Sequence, residues 1–151
     1  FKPHLDQWKP GEHTGTFRGN NLAFVASKVS LDNYWQNDNL SKAVKYKEEI
    51  LKDSLTQIAN KYKDVYDIDV RGRGLVYGFE IKNDKSMAGE ISKKAFQEGL
   101  IVETCGSEGQ VVKFLPPLLI EEELLKEGLK RFEIAVDKLI EERSEHLKGE
   151  Y

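Results

Sequence analysis

The chain has 151 residues, of which 39% are hydrophobic and 32% charged, and its formal net charge is −3. This composition is typical of a globular protein, and the absence of a cationic block argues against a nucleic-acid or anionic-membrane partner. The single cysteine, Cys105, cannot form an internal disulfide, and no apolar run reaches the roughly 20 residues of a membrane helix. We therefore expect a cytoplasmic protein, and we expect no metal site because the histidines have no partners at metal-ligand spacing.

Near the start of the chain, residues 11–21 form a glycine-rich run, Gly-Glu-His-Thr-Gly-Thr-Phe-Arg-Gly-Asn-Asn. Its three glycines allow sharp turns and a close approach of the main chain to a ligand. A helix expected after Asn20 would add unpaired N–H donors and a positive dipole end, and Thr16 would add a hydroxyl. The pattern favours an anion site, although a loop that only caps a buried helix has the same glycines.

Two helices are predicted after this run. Residues 22–35 are apolar on nearly all sides, which is typical of a helix buried between layers. Residues 40–62 carry an apolar stripe at helical spacing and predict a helix of about six turns. We place a domain boundary inside this second helix, so that residues 1–52 and 53–151 belong to different domains.

The remaining residues predict strands and two helices. Residues 75–81 alternate as a strand, and residues 100–104 and 110–115 predict a hairpin that turns at residues 106–109. A short helix is expected between the first strand and the hairpin, with Ser86 as its cap and Gly99 just past its end. A final helix is predicted over residues 121–145, because Pro116 and Pro117 must stop the preceding strand.

Inward-facing residues follow from the same periods. The strand places Leu75, Tyr77, Phe79 and Ile81 on one face, and the short helix directs Ile91, Ala95 and Phe96 inward. The final helix has an apolar stripe formed by Leu124, Leu125, Leu129, Phe132, Val136, Leu139 and Ile140. Residues 53–151 are thus expected to form a small α+β domain, an antiparallel sheet covered by helices and preceded by a helical arm.

Four segments of the chain resemble one family in the same order. Residues 13–20 are similar to the motif His-x-x-Thr-Phe/Tyr-x-Gly-Asn, and residues 70–75, 98–102 and 111–118 match three later segments. By these four segments the chain resembles the class III aminotransferases, which are pyridoxal-phosphate enzymes of fold type I. The fold of the whole family belongs to the α/β class. The resemblance implies that residues 1–52 end the large domain and that residues 53–151 form the small C-terminal domain.

The resemblance also implies roles for particular residues. Gly15, Thr16 and Phe17 would bind the phosphate of pyridoxal 5'-phosphate, and the Thr16 hydroxyl would reach the cofactor of a neighbouring subunit in a homodimer. Lys113 and Arg18 would bind substrate. The lysine that holds the cofactor covalently is expected upstream of Phe1, so this part of the enzyme should contain no catalytic residue and should be inactive alone.

Two of these assignments have plain alternatives. Lys113 shares a strand face with Val111 and Leu115, and a solvated lysine on an edge strand has the same pattern. Many relatives carry an arginine here, whose fork a lysine cannot reproduce. Arg18 has a plain surface charge as its alternative, and Arg71 and Arg73 are expected to pair with carboxylates at the entry to a strand.

Within the family, residues 8–21 are most similar to enzymes of ectoine biosynthesis. That likeness implies transfer of an amino group from glutamate to aspartate 4-semialdehyde, which gives 2,4-diaminobutyrate and 2-oxoglutarate. Another aminotransferase, acting on ornithine, acetylornithine or GABA, is an alternative of the same class. A non-catalytic α+β binding or dimerisation module is the alternative of a different class.

Overall fold

The computed structural model describes residues 2–149, and the side chains of residues 2–145. The chain divides into two units, Phe1–Leu40 and Ser41–Tyr151. No helix within the described residues combines the length and the apolar character needed to cross a bilayer.

The first unit consists of a short 3-10 helix, Pro3–Leu5, a turn-rich loop and helix α1, Asn21–Tyr34. Helix α1 begins and ends within one residue of its predicted bounds. Its apolar residues are exposed, however, and Leu22 retains 80% and Phe24 62% of their accessible surface. The burial expected for this helix is therefore not provided by the chain itself.

The second unit contains a four-stranded antiparallel sheet. Its strands are β1, Ile68–Arg73; β2, Val76–Ile81; β3, Glu103–Cys105; and β4, Val111–Phe114. They lie in the order β1-β2-β4-β3, and each neighbouring pair is antiparallel. The predicted hairpin is the β3–β4 pair, although β3 is shorter than expected. Strand β1 was not predicted.

Three helices bury one face of this sheet. They are α2, Asn39–Lys61; α3, Met87–Gln97; and α4, Glu122–Gly149. The Phe132 ring of α4 meets the rings of Phe79 and Phe114 edge-on, with centroids 5.3 and 4.8 Å apart. This core confirms the predicted fold class, an antiparallel sheet covered by helices.

Three details of the helices differ from the prediction. Phe96 and Leu124 are exposed, at 70% and 60%, because each lies at the edge of its helix's apolar stripe, where no other element of the core covers it. Ser86 precedes α3 but makes no side-chain cap. Instead Asp84 accepts hydrogen bonds from the Ser86 amide and hydroxyl, at 3.0 and 2.7 Å.

Candidate functional site

The glycine-rich loop of the first unit is held by its own hydrogen bonds. The Lys9 amide donates to a Glu12 carboxylate oxygen at 2.7 Å, and the Glu12 amide donates back to the Lys9 carbonyl at 3.1 Å. Gly11 and Gly19 have positive φ angles of 88° and 75°, which favour glycine because other side chains would be strained there. The loop therefore needs glycine at two of the three predicted positions.

The start of α1 is capped by the chain itself. The Asn20 side-chain oxygen accepts hydrogen bonds from the amides of Leu22 and Ala23, at 2.9 and 3.3 Å. Two of the donors that the sequence suggested for an anion are thus already paired. The expectation of unpaired donors at this helix start is therefore wrong for these two amides.

A single turn brings four predicted site residues together. The Arg18 amide donates to the Gly15 carbonyl at 3.1 Å, so Thr16 and Phe17 are the two central residues of a four-residue turn. The amides of central residues take no part in the turn's own hydrogen bond. With the exposed Thr16 hydroxyl, they form a cluster of donors that suits a phosphate group.

The Arg18 side chain lies over the same turn. A Cβ atom built on Gly15 would stand 3.2 Å from the Arg18 Nε atom, so the guanidinium group folds back toward the glycine. A cation at this position would favour an anion bound to the turn. The residues present therefore fit the phosphate of pyridoxal phosphate, through donors of the turn and the charge of Arg18.

The second unit offers a different candidate surface, the sheet face opposite the helices. We call it the polar face and define it by Asp69, Arg71, Gly78, Glu80, Val111, Lys113 and Glu103. One row runs straight across the four strands, since Arg71 pairs with Gly78, Gly78 with Lys113, and Lys113 with Glu103. Because neighbouring strands are about 4.8 Å apart, the main chains at Arg71 and Lys113 are about 10 Å apart, with Gly78 between them.

Glycine is required at the centre of this row. A Cβ atom on Gly78 would lie 2.8 Å from the Val111 Cγ1 atom, closer than real contacts allow. The space above Gly78 is thus filled by the Val111 side chain of the neighbouring strand. The alternation of the predicted strand implies that Gly78 faces away from Tyr77 and Phe79, and no function was predicted for it.

The two cations of the row differ in how they are neutralised. Arg71 contacts both Asp69 and Glu80, at 2.5 and 2.6 Å, and these hydrogen bonds raise the pKa of the guanidinium group. The expectation that Arg71 pairs with carboxylates is therefore confirmed, within strand β1 rather than at its entry. With two carboxylate partners, Arg71 is neutralised on the polar face.

Lys113 has one carboxylate partner among the described residues. Its Nζ atom lies 2.8 Å from a Glu103 oxygen, and this contact raises the pKa of Lys113 and lowers the pKa of Glu103. The Lys113 side chain is 30% exposed, whereas Glu103 is 72% exposed. The alternation of residues 103–105 could have placed Glu103 opposite Lys113, but sequence reasoning overlooked this glutamate.

Both residues of this pair also border a groove of about 500 Å³ between strand β3, the segment after β4 and the first turns of α4. Its walls are mainly apolar, and Glu103 and Lys113 are its charged lining residues. The pair therefore lies at the junction of a polar sheet face and an apolar groove.

A family model described as Aminotransferase class-III matches residues 3–136 of the chain. The matched range includes the loop turn and the polar face. The members of this family are pyridoxal-phosphate enzymes.

Curated relatives carry a more specific name. A diaminobutyrate–2-oxoglutarate transaminase of Wolinella succinogenes is 50% identical over 143 residues, which are 95% of this chain and 33% of the relative. A protein of the same name from Bordetella parapertussis is 46% identical over 144 residues, again 95% of this chain and 33% of the relative. The chain thus spans about a third of the length of the curated relatives it matches.

Solved structures share the fold. An N-acetylornithine aminotransferase from Stenotrophomonas maltophilia has a TM-score of 0.70 and 32% identity, over 81% of this chain and 32% of that one. An ornithine aminotransferase from Toxoplasma gondii has a TM-score of 0.72 and 27% identity, over 89% of this chain and 31% of that one. With the family match over most of its length, the chain belongs to the class III aminotransferases.

Proposed function

We infer that this chain is the C-terminal part of an enzyme that transfers an amino group from glutamate to aspartate 4-semialdehyde, giving 2,4-diaminobutyrate and 2-oxoglutarate. The observation that carries this proposal is the 50% identity, over 95% of the chain, to a protein named for that pair of compounds. The likeness to ornithine and acetylornithine aminotransferases is weaker, at 27–32% identity. The proposal includes a role in ectoine biosynthesis and a cytoplasmic location.

The residues of the first unit would hold the cofactor. The Thr16 hydroxyl and the amides of Thr16 and Phe17 would donate to its phosphate. Gly15 and Arg18 would close the turn by their hydrogen bond, and the Arg18 guanidinium group would add a positive charge. When bound, pyridoxal phosphate supplies an electron sink for the amino-group transfer. We propose that the turn serves the cofactor of a second subunit, so that the enzyme works as a homodimer.

The residues of the polar face would bind substrate. Lys113 offers a carboxylate a point charge with three donors, in place of the two parallel bonds of an arginine. Arg18 is the second proposed substrate cation, although its place at the turn also supports a role toward the phosphate. The division into residues 1–52 and 53–151 stays our proposal for the two domains of the complete enzyme.

The test is an assay of the full-length protein with glutamate as amino donor. Aspartate 4-semialdehyde should be the preferred acceptor over the semialdehydes formed from ornithine, acetylornithine and GABA. Preferential use of the ornithine-derived acceptor would overturn the substrate assignment. A full-length protein that binds no pyridoxal phosphate and transfers no amino group would favour the binding or dimerisation module.

A further inference from the structure

A closed turn of residues 9–12 lies shortly before the turn that would hold the phosphate. The carbonyl of its first residue accepts a hydrogen bond from the amide of its last at 3.1 Å, and the first amide donates to the last side chain at 2.7 Å. Proline at its second position and Gly11, with a φ of 88°, at its third are typical of a type II turn. The turn therefore reverses the chain and brings its flanking residues, Trp8 and His13, side by side.

The side chains of these two flanking residues form an aromatic contact, which we call the ring pair. The ring centroids of Trp8 and His13 are 4.6 Å apart, and the ring planes meet at 32°. This separation lies in the range in which aromatic rings attract each other. Trp8 is 54% exposed, so the contact is not part of a core. The ring pair thus closes the turn from outside, in addition to its two hydrogen bonds.

The ring pair is close in sequence to the groups that would hold the phosphate. One residue separates His13 from Gly15, whose carbonyl accepts the hydrogen bond that closes the second turn. Thr16 is next in the chain, so its orientation depends on few backbone dihedral angles once His13 is held in place. Beyond the second turn, the Asn20 side chain caps helix α1 at 2.9 Å. Loss of the ring pair would therefore loosen one end of the second turn while the other end stays attached.

We propose that Trp8 and His13 are positioning residues for the cofactor, because their ring pair holds the turn of residues 15–18 in place for a phosphate. This inference rests on the proposed function, in which that turn binds pyridoxal phosphate. Neither ring has to contact the cofactor in this role. A segment that is already ordered loses less conformational freedom on binding, so the ring pair raises the affinity for the cofactor.

The experiment is a double-mutant cycle on the dissociation constant of pyridoxal phosphate, measured by titration of the cofactor-free full-length protein. Trp8→Leu and His13→Leu should each raise this constant roughly threefold to tenfold, which is the effect of one aromatic contact. The double variant should bind no more weakly than the weaker single variant, since either change alone breaks the ring pair. At saturating cofactor, kcat of all three variants should match the wild type, because positioning affects only the occupancy of the cofactor site.

A conservative variant separates the ring contact from the chemistry of the imidazole. His13→Phe keeps an aromatic ring against Trp8 but has no charge and no proton to donate, so it should retain nearly the affinity of the wild type. If His13→Phe binds as weakly as His13→Leu, the imidazole itself is required and the proposal is wrong.

His4→Leu is the matched control, because the exposed His4 ring of the same unit has no aromatic partner in the part of the chain that the structure describes. It should leave the dissociation constant unchanged. An equal loss in this control would refute the assignment, since the effect would then need no ring pair.

The cycle also distinguishes this inference from the proposed function. Unchanged affinity in both single variants, or effects that add in the double variant, would show that the ring pair does not position the turn. If Thr16→Val weakens cofactor binding while the ring-pair variants do not, the positioning role is wrong and the cofactor site stands. If the wild-type full-length protein binds no pyridoxal phosphate, the proposed function fails, and this inference fails with it.

Discussion

Thr16 is the residue on which the cofactor assignment most directly depends. It is a central residue of the turn closed by the Arg18 amide and the Gly15 carbonyl, and its side chain is exposed. A hydroxyl in that place would be available to an anion without breaking the hydrogen bond of the turn. This geometry supports the assignment independently of the resemblance to the family motif.

We predict that Thr16→Val weakens pyridoxal phosphate binding by the full-length protein. Loss of one hydrogen bond to a charged phosphate should raise the dissociation constant roughly tenfold or more. Titration of the cofactor-free protein with pyridoxal phosphate measures this dissociation constant. Thr14→Val, one residue before the turn, is the control, and equal affinity of the two variants would count against Thr16.

At the same scale, sequence reasoning found the turn residues but not the ion pair between Lys113 and Glu103. Gly15, Thr16, Phe17 and Arg18 are consecutive, so a motif is sufficient to bring them together. Glu103 reaches Lys113 only through the pairing of two strands. The turn of this hairpin fixes that register, and the prediction of a turn at residues 106–109 was not carried on to the strand partners.

At the scale of elements, the β1–β2 hairpin depends on a close contact at Gly72. A Cβ atom there would lie 2.3 Å from the Val76 carbonyl oxygen and 2.5 Å from the Tyr77 Cγ atom. The backbone oxygen cannot move aside without disturbing the strand pair. A Cβ atom on Gly89 in α3 would meet no atom within 4 Å, so Gly89 offers a contrast.

We predict that Gly72→Ala lowers the free energy of unfolding by roughly 1–3 kcal/mol, because the hairpin must shift to accept the methyl group. Gly89→Ala should be stabilising by up to about 1 kcal/mol, because alanine favours a helix. Urea denaturation of the full-length protein measures both. Equal stability of the two variants would contradict the close contact at Gly72.

A second prediction at this scale concerns the contact of α4 with the end of α2 and with Tyr62, the residue that follows α2. The Tyr62 hydroxyl donates to an Asp137 oxygen at 2.5 Å, and Lys61 donates to the other oxygen at 2.6 Å. Burial and the neighbouring Asp137 carboxylate raise the pKa of Tyr62 from 10.0 to about 12. The neutral phenol is thus the form that stabilises the folded state.

Tyr62→Phe should lower the free energy of unfolding at pH 8 by roughly 1–2 kcal/mol. Because the folded-state pKa is the higher one, the contribution of Tyr62 is complete below pH 10.0 and is lost as pH rises toward about 12. The difference between wild type and variant in urea denaturation should therefore shrink from pH 8 to pH 11.5. Tyr66→Phe is the control, and a difference that does not change with pH would refute the role of the phenol.

Much of the secondary structure was predictable because its patterns are local. The stripe of α2 and the alternation of Tyr77, Phe79 and Ile81 each follow from one period. Strand β1 has the same local alternation, since Ile68 and Val70 pack against the core while Asp69 and Arg71 lie on the polar face, so its pattern was present in the sequence but was overlooked. Leu124 was placed inward because a helical stripe does not reveal which element covers its edge.

At the scale of the whole molecule, helix α1 is the main departure from a self-sufficient fold. Its apolar side chains remain exposed in this chain, including Leu22, Phe24, Val25, Val29, Leu31 and Tyr34. An apolar surface of this extent is unusual in a monomer and marks a place for a partner or for further chain. This chain spans about a third of the length of its curated relatives, which agrees with coverage of α1 by further chain.

We predict that the 151-residue chain, produced alone, folds only marginally and self-associates. It should bind a dye for exposed apolar surface more strongly than the full-length protein does, and Phe24→Glu should reduce this association. Sedimentation and dye fluorescence measure these differences. A sharp, cooperative thermal transition of the isolated chain as a monomer would contradict this prediction.

The internal bonding of the glycine-rich loop has a further consequence for how a ligand arrives. Lys9 and Glu12 brace one end, and Asn20 secures the other by capping α1. The turn between them is held at both ends by bonds within the chain, so we expect an anion that binds there to cost little conformational freedom. Such a rigid receptor should capture its ligand at a rate governed by encounter rather than by rearrangement.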